Sequence, residues 1–400
     1  MPVGNQFRHQ SYPTRPLITP ALQKLQAIPP VAGMAAQLHT DLAFDQVILV
    51  HGTFLGDDPF GISATLQDLA DDAPAPAASA LKATAELLLR STRPIIARSV
   101  KDLGNYTSEF RSTFQTLVGD DPQIELLKPT WSSENHHFAR ADLAVRLIHR
   151  LLQNPPAPGR QALLWGHSHA GNAFALLSNL LAGGPAIPQF FEAVGNRSEP
   201  HWLTVRAALA AAPQPHPLAK QVAAVTFGTP VRYGWDPAGL SALVHVNFHR
   251  PWDPDRPEIA RPLFPLYSPL DVATARWGDW VQTFAIADTD LNTGKSNQLN
   301  QRLNSLLESG LEEPAPDPDT SLLMSRRLRK LCSRWKHGTR CHSDGKNLLV
   351  DYQSSGKFTF PAIPIEMAAL GHGVATAVHW LPAHLRLVIS ALQPSPPEPL

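Results

Sequence analysis

Cysteine and net charge are what this chain has little of. It contains two cysteines in 400 residues, and 34 lysines and arginines balance 34 aspartates and glutamates. Two thiols are too few for the disulfide framework of a small secreted domain. A neutral chain also lacks the positive field with which a protein binds nucleic acid or an anionic membrane surface. We therefore expect no nucleic-acid partner.

Long apolar runs are also missing. No stretch approaches about 18 uninterrupted apolar residues, so we expect no transmembrane segment. The first residues, MPVGNQFRHQSYPTRP, lack the apolar core of a signal peptide. Together these two absences predict a cytoplasmic protein.

Sequence patterns that bind cofactors or metals are a third absence. The chain has no P-loop, no G-x-G-x-x-G and no H-E-x-x-H. The pair His136-His137 and the segment from Cys332 to Cys341-His342 do not follow zinc-ligand spacing. We expect no cofactor and no metal, and we interpret His136 and His137 as surface histidines.

Apolar residues, in contrast, are abundant, at 43% of the chain. They form short continuous runs, several of which are followed by helical patterns, and continuous runs are typical of strands buried on both faces. Such alternation predicts an α/β fold with a mostly parallel sheet of about six or more strands and helices on both faces. We expect no strand before the first run. The predicted strands are 46–50, 124–131, 162–165, 222–227, 243–248 and 347–352.

Proline, at 39 residues, punctuates the chain and indicates its domain organisation. We expect an irregular segment over 1–43 and a flexible tail over 393–400. One domain is expected over 44–392. Within it, a helical insertion near 60–118 is predicted to cap the site, with the leucines at 87–89 lining an apolar pocket.

The strongest functional pattern is GHSHAG at 166–171, between an apolar run and a helical pattern. It resembles the G-x-S-x-G nucleophile elbow, with Gly166 two residues before Ser168 and Gly171 three residues after it. Glycines on both sides let the strand and the helix approach closely around a strained turn. The N–H groups at the start of the helix face a developing negative charge. Ser168 is therefore the predicted nucleophile.

With His51-Gly52 after the run QVILV, this pattern resembles the α/β-hydrolase superfamily, specifically its lipase- and esterase-like members. VTFGTPVRYGW (225–235) and GHGVATAVHW (371–380) are similar to later segments of such lipases. WSSENHHFAR (131–140) resembles a group of uncharacterised bacterial lipase-like hydrolases. The resemblance covers about 44–392. It implies an α/β-hydrolase fold and the cleavage of a small-molecule ester or lipid through an acyl-serine intermediate, without a cofactor.

The resemblance also implies which residues assist the serine. The backbone N–H groups of Thr53 and His169 would form the oxyanion hole. The remaining triad members follow in the order acid, then histidine. His372 lies between two glycines before the last helical pattern, so it is the predicted general base.

The acid has several candidates between the last two apolar runs. Asp279 is preferred, because GDWV at 278–281 resembles the G-D-x-V turn that carries the acid in several lipase groups. Asp253 is the alternative, since it is nearest to the end of a strand, although prolines surround it. Asp271 is a further candidate. Asp351 lies on the last apolar run itself and is interpreted as structural.

Other functions remain open at this level. A thioesterase or an amidase would use the same triad, and a hydrolase fold without activity would act as a binding or scaffold protein. The presence of Ser168, His372 and the His51-Gly52 loop together favours an enzyme, because an inactive relative usually loses one of them.

Overall fold

The six apolar runs and one further segment form one sheet of seven parallel strands in the computed structural model of the chain. The described residues are 6–9, 22–53, 79, 104–119, 123–261, 271, 274–287, 296–307, 339–353 and 365–393. The strands are β1 (Leu22–Gln26), β2 (Phe44–Val50), β3 (Glu125–Leu127), β4 (Gln161–His167), β5 (Val222–Phe227), β6 (Ala242–Phe248) and β7 (Lys346–Gln353). The α-helices of these ranges are α1 (Gln37–Thr40), α2 (Ser108–Val118), α3 (His137–Gln153), α4 (His169–Ala182), α5 (Ile187–Ala193), α6 (Pro200–Ala211), α7 (Trp280–Ala287), α8 (Ser296–Leu307) and α9 (Leu381–Leu392).

The order of the strands decides where a site can form. Across the sheet they lie in the order β1-β7-β6-β5-β4-β2-β3. Because every strand runs in the same direction, the loops that follow β2, β4, β5, β6 and β7 all leave from one edge. Open parallel sheets carry their sites in the loops at this carboxyl edge.

Helices cover both faces of the sheet, as the sequence predicts. Along β4, Ala162 and Leu164 pack into a core with helices α3, α4 and α6. The alternate residues Leu163 and Trp165 pack into a second core with α2 and α9. The central strands are buried on both sides, which accounts for their continuous apolar runs. The predicted α/β fold with a parallel sheet is confirmed.

The edges of the sheet differ from the prediction. β1 pairs in parallel with β7, so the expectation that all of 1–43 is irregular is wrong for these residues. Its sequence, LQKLQ, is mostly exposed and lacks the continuous apolar pattern of a central strand. At the other edge, the predicted strand 124–131 shortens to 125–127. Pro129 has no N–H for a sheet hydrogen bond, which favours this early end.

The expected cap over 60–118 has the wrong boundary. Helix α2 packs on a face of the sheet, where Phe110 and Phe114 are buried and the Phe114 ring lies 5.5 Å from that of Trp165. Because α2 belongs to this core, the cap does not extend through 118. The rest of the insertion, including the leucines at 87–89, lies outside the described residues apart from Ser79 and 104–107.

The helical pattern at the end of the chain also starts differently. Residues 373–380 form short 3₁₀ turns, and α9 begins only at Leu381, with Pro382 in its first turn. Proline fits this position because the first N–H groups of a helix have no partner within it. The predicted tail lies outside the described residues from 394 onwards. Within the described ranges, no helix is long and apolar enough to cross a membrane.

Candidate active site

Ser168 occupies a strained turn between β4 and α4. Its backbone has φ 57° and ψ −133°, a conformation that costs a residue with a side chain on the order of 1–3 kcal/mol. Two hydrogen bonds hold the turn: Ser168 N–H donates to Phe227 O at 2.8 Å, and Thr229 Oγ1 donates to Ser168 O at 2.8 Å. The surroundings therefore impose the strain, as a nucleophile elbow requires.

The glycines of the GHSHAG pattern are required for steric reasons. A Cβ atom at Gly166 would overlap the ring of Phe174 in α4, and one at Gly171 would overlap the side chain of Thr229. The pattern departs from G-x-S-x-G in one respect, because Ala170 occupies the place of the second glycine. The close approach falls one residue later, at Gly171.

Asp279 and His372 form a buried hydrogen-bonded pair. His372 Nδ1 donates to Asp279 Oδ2 at 2.6 Å, and the two residues are 8% and 2% exposed, in that order. Among the described residues, His372 Nε2 has no hydrogen-bond partner. A carboxylate on Nδ1–H selects the tautomer in which Nε2 carries the lone pair. The imidazole is thus arranged to accept a proton at Nε2.

Two glycine turns bring this pair together. The long segment after β6 returns to the strand, where Asp279 N–H donates to Phe248 O at 3.2 Å. Gly278 has φ +95°, and a Cβ there would lie 2.6 Å from Phe248 O. Gly371 has φ +91°, and its Cβ would lie 2.8 Å from Gly278 O. Backbone contacts this close place Asp279 beside His372.

The serine turn and the Asp279–His372 pair meet at the carboxyl edge of the sheet. The rings of His167, which precedes Ser168, and His372 have centroids 4.3 Å apart. A Cβ at Gly228, just after β5, would lie 2.8 Å from Asp279 Oδ2 and 3.3 Å from His372 Nδ1. The structure therefore places the Ser168 turn next to the Asp279–His372 pair.

The loop after β2 lies against the Ser168 turn. A Cβ at Gly52 would lie 2.6 Å from Ser168 Cβ, so only glycine fits here. Trp131 Nε1–H donates to His51 O at 3.2 Å and stacks on the His51 ring. Burial lowers the pKa of His51 to about 4. Thr53 follows directly and is half-buried.

His169 opens helix α4, and its backbone N–H lies at the helix start beside Ser168. Its side chain is buried and its Nδ1 lies 3.2 Å from Asn172 Nδ2. The first N–H groups of a helix are available to a ligand. The oxyanion roles of Thr53 and His169 stay predictions.

His167 supports the loop that carries the predicted base. Its ring is 1% exposed, and Nε2–H donates to His372 O at 3.2 Å. Burial, followed by the nearby His372, holds the pKa of His167 well below its usual value, so the ring is neutral. It positions His372 without adding a positive charge next to it.

The other candidate acids, Asp253 and Asp271, and Asp351, which is interpreted as structural, have different partners. Asp253 Oδ1 accepts the N–H of Asp255 in an exposed turn, at 3.0 Å. Asp271 pairs with Arg276 at 3.1 Å, and Asp351 pairs with Arg250 at 2.6 Å. None of the three is paired with His372.

The surface interpretation of His136 and His137 is wrong, because both are buried. His136 caps helix α3 by accepting the N–H of Ala139 at 3.0 Å. His137 Nδ1 is hydrogen-bonded to Tyr233 OH at 2.6 Å. Both histidines therefore serve the packing of α3. Among the described residues, no group of three His, Cys, Asp or Glu side chains could hold a metal ion.

Sequence reasoning missed the residues that support the acid. Gln282 N–H donates to Asp279 Oδ1 at 2.8 Å, and its side-chain amide donates to Thr229 O at 2.8 Å. A signal for Gln282 was present, since an aspartate followed three residues later by glutamine is typical of a helix start. Arg340, which bonds the Gln282 side chain, carries no such local signal.

In comparisons of this chain with protein-family models, curated proteins and solved structures, no significant match is found. A functional conclusion therefore depends on the geometry of the site.

Proposed function

We propose that this chain is a serine hydrolase of the α/β-hydrolase fold that cleaves carboxylic esters through an acyl-serine intermediate. The observation that carries the proposal is the strained Ser168 turn beside the buried Asp279–His372 pair. A strained serine, an oriented imidazole and a buried carboxylate at one edge of a parallel sheet are the parts that such a reaction needs.

The topology supports the same proposal. The serine follows β4, the acid follows β6 and the histidine follows β7, so the chain order is Ser, Asp, His. This is the order in α/β-hydrolases, in contrast to the two other well-known serine protease folds. The loop after β2 lies against Ser168, where α/β-hydrolases place an oxyanion N–H.

The proposed reaction starts at Ser168 Oγ, which attacks the ester carbonyl carbon while His372 Nε2 takes its proton. Asp279 orients the ring and stabilises the imidazolium. His372 then gives the proton to the leaving alcohol, which departs and leaves an acyl-serine. Water attacks the acyl group by the same proton transfers, which releases the acid and restores Ser168.

The negative oxygen of each tetrahedral intermediate would be held by the N–H groups of Thr53 and His169. Removal of one donor of this kind typically raises the activation barrier by about 3–4 kcal/mol. His169 N–H also carries the positive end of the α4 dipole. These donors act on charge that develops only during reaction, so they lower the barrier.

A fluorophosphonate probe together with p-nitrophenyl ester turnover tests this proposal. We expect covalent capture at Ser168, and Ser168→Ala should lose on the order of 10⁴-fold or more in turnover. Ser178→Ala is the matched control, because Ser178 is a buried serine of the helix that follows Ser168, and its hydroxyl donates to Ala175 O. A Ser168→Ala variant with wild-type turnover would refute the mechanism.

A matched ester, thioester and amide series separates the alternatives on the same triad. We expect the ester to have the highest kcat/KM. A folded wild-type protein that neither reacts with the probe nor turns over any of the three would instead support a binding or scaffold role.

A further inference from the structure

A buried hydrogen-bond network joins the serine turn to the acid loop. Thr229 is bonded to Ser168 O through its hydroxyl and to the Gln282 amide through its carbonyl, both at 2.8 Å. The Gln282 backbone N–H contacts the carboxylate of Asp279, also at 2.8 Å. Gln282 Nε2 donates further to Asn247 Oδ1 at 2.8 Å. Continuous hydrogen bonds therefore connect the Ser168 turn to Asp279.

Arg340 is bonded to this network through Gln282 and Thr283. Its guanidinium donates to Gln282 Oε1 at 2.6 Å and to Thr283 Oγ1 at 3.0 Å. Thr283 Oγ1 in turn donates to Asp279 O at 3.0 Å. Arg340 is 1% exposed, and its carbonyl accepts from Asn247 Nδ2 at 2.7 Å. The side chain is thus fixed at both ends.

Burial of a guanidinium is unfavourable unless an opposite charge compensates it. Burial lowers the pKa of Arg340 to about 10, and the charge of Asp279 counteracts this shift. The group therefore remains cationic at neutral pH. Arg340 therefore lies within the electrostatic influence of Asp279, to which it is linked through Gln282 and Thr283.

We propose that Arg340 is a positioning residue of the Ser168–His372–Asp279 site, which it serves by fixing the acid-bearing helix start and by balancing the charge of Asp279. The inference deepens the proposed function and rests on it. When His372 takes a proton, Asp279 interacts with two cations, the new imidazolium and Arg340.

The charged and titratable groups around this set are few among the described residues. His372 faces Asp279 and His167, and the latter is neutral. Tyr352 also lies in the field of Asp279, and burial, followed by this charge, raises its pKa. Arg340 supplies the positive charge that acts on Asp279.

On its other side, Arg340 lies near the buried Glu258, whose backbone O accepts the Arg340 N–H at 3.0 Å and whose charge acts on Cys341. Arg340 also acts on His249 and interacts with the thiol of Cys341. Burial, followed by the charge of Arg340, lowers the pKa of His249 to about 3. Burial raises the pKa of Cys341 to about 12. Neither group changes its charge near neutral pH, so neither obscures a titration of His372.

Arg340→Gln and Arg340→Lys test the inference through two readouts. One is the acidic limb of the kcat/KM profile; the other is an NMR titration of the His372 ring, which needs no turnover. In Arg340→Gln we expect both midpoints to move to higher pH by roughly one pH unit, because a nearby cation is lost. Arg340→Lys keeps the charge and should restore the midpoints.

Arg140→Gln is the matched control. Arg140 is also fully buried, and its guanidinium donates to Tyr233 OH at 2.7 Å and to Asn135 Oδ1 at 2.6 Å, neither of which belongs to the network around Asp279. We expect lower stability but no shift of either midpoint. An equal shift in both Gln variants, or none in Arg340→Gln, overturns the inference.

Thr283→Val provides a second test if Arg340→Gln does not fold. It removes the hydroxyl link between Arg340 and Asp279 O but keeps the cation. We expect about a tenfold lower kcat with an unchanged midpoint, and an unchanged kcat would overturn the positioning role. The NMR titration separates the two proposals, because it can shift even when the wild-type protein cleaves no ester.

Discussion

Among the described residues, two Asp–His hydrogen bonds of nearly equal length, Asp279–His372 and Asp142–His201, occur in different regions. Asp279 and His372 are joined at 2.6 Å at the carboxyl edge of the sheet. Asp142 of α3 and His201 of α6 are joined at 2.8 Å where two helices pack together. Length alone therefore does not distinguish the proposed catalytic pair from a structural one.

The surroundings of each pair make the difference. Asp142 also accepts from Trp202 Nε1 at 3.0 Å and from Arg146 Nε at 2.5 Å, and its side chain is 23% exposed. His201 uses Nε2 to reach Asp142, whereas His372 uses Nδ1 and leaves Nε2 for another group. The second pair also lacks a strained serine turn beside it in the described part of the chain. What identifies a candidate site is therefore the nitrogen left open and the group beside it.

Replacing each aspartate by asparagine should give the largest contrast. Asp279→Asn is expected to lower ester turnover by about 10⁴-fold, because the amide favours the wrong tautomer of His372. Asp142→Asn should leave turnover within about twofold. Steady-state kinetics on a p-nitrophenyl ester measures both effects.

Thermal unfolding of the two variants provides the control for this comparison. Asp142→Asn is expected to lose on the order of 1–3 kcal/mol, because three donors lose a charged acceptor. Equal losses of turnover in both variants would mean that the pairs do not differ in role.

A second prediction extends the comparison to histidines buried without a carboxylate. Burial lowers the pKa values of His9, His245, His249 and His384 to about 3. The unfolded chain binds protons below pH 6.5, but the folded chain does not until about pH 3. Stability is therefore present above pH 6.5 and falls between 6.5 and 3, by up to about 2 kcal/mol per group from pH 7 to 5.

Urea unfolding at pH 7 and pH 5 measures this effect. His384 is hydrogen-bonded to Tyr352 OH at 2.7 Å, a contact that glutamine can preserve. Between pH 7 and pH 5, the free energy of unfolding of His384→Gln should fall by up to about 2 kcal/mol less than that of the wild-type protein. Equal slopes in the two proteins would show that His384 titrates normally in the folded state.

The smallest effect is expected at the alternative acid. Asp253 lies in an exposed turn, and its Oδ1 accepts a neighbouring N–H. Asp253→Asn should change neither turnover nor, beyond about 0.5 kcal/mol, stability. A loss of turnover that approaches the Asp279→Asn value would transfer the acid role to the shorter loop.

The sequence alone was enough to predict the central strands, the turn at Ser168 and the candidate base His372, because each depends on local chemistry. Continuous apolar runs predicted the central strands because burial on both faces leaves no room for alternation. The glycines around Ser168 predicted a tight strand-to-helix turn, since only they avoid overlap with Phe174 and Thr229. The position of His372 between glycines before the last helix singled it out as the predicted base.

Only the tertiary structure decided what depends on contacts between distant segments. Strand β1 needs β7 as a partner, and its own sequence has no strong pattern. Asp279 was one of four candidates, and contact of the Gly278 and Gly371 turns placed it beside His372. Arg340 supports the acid through Gln282 from a distant part of the chain. A sequence pattern reports the local conformation of a residue, whereas its charge partner is decided by how the loops pack at the carboxyl edge of the sheet.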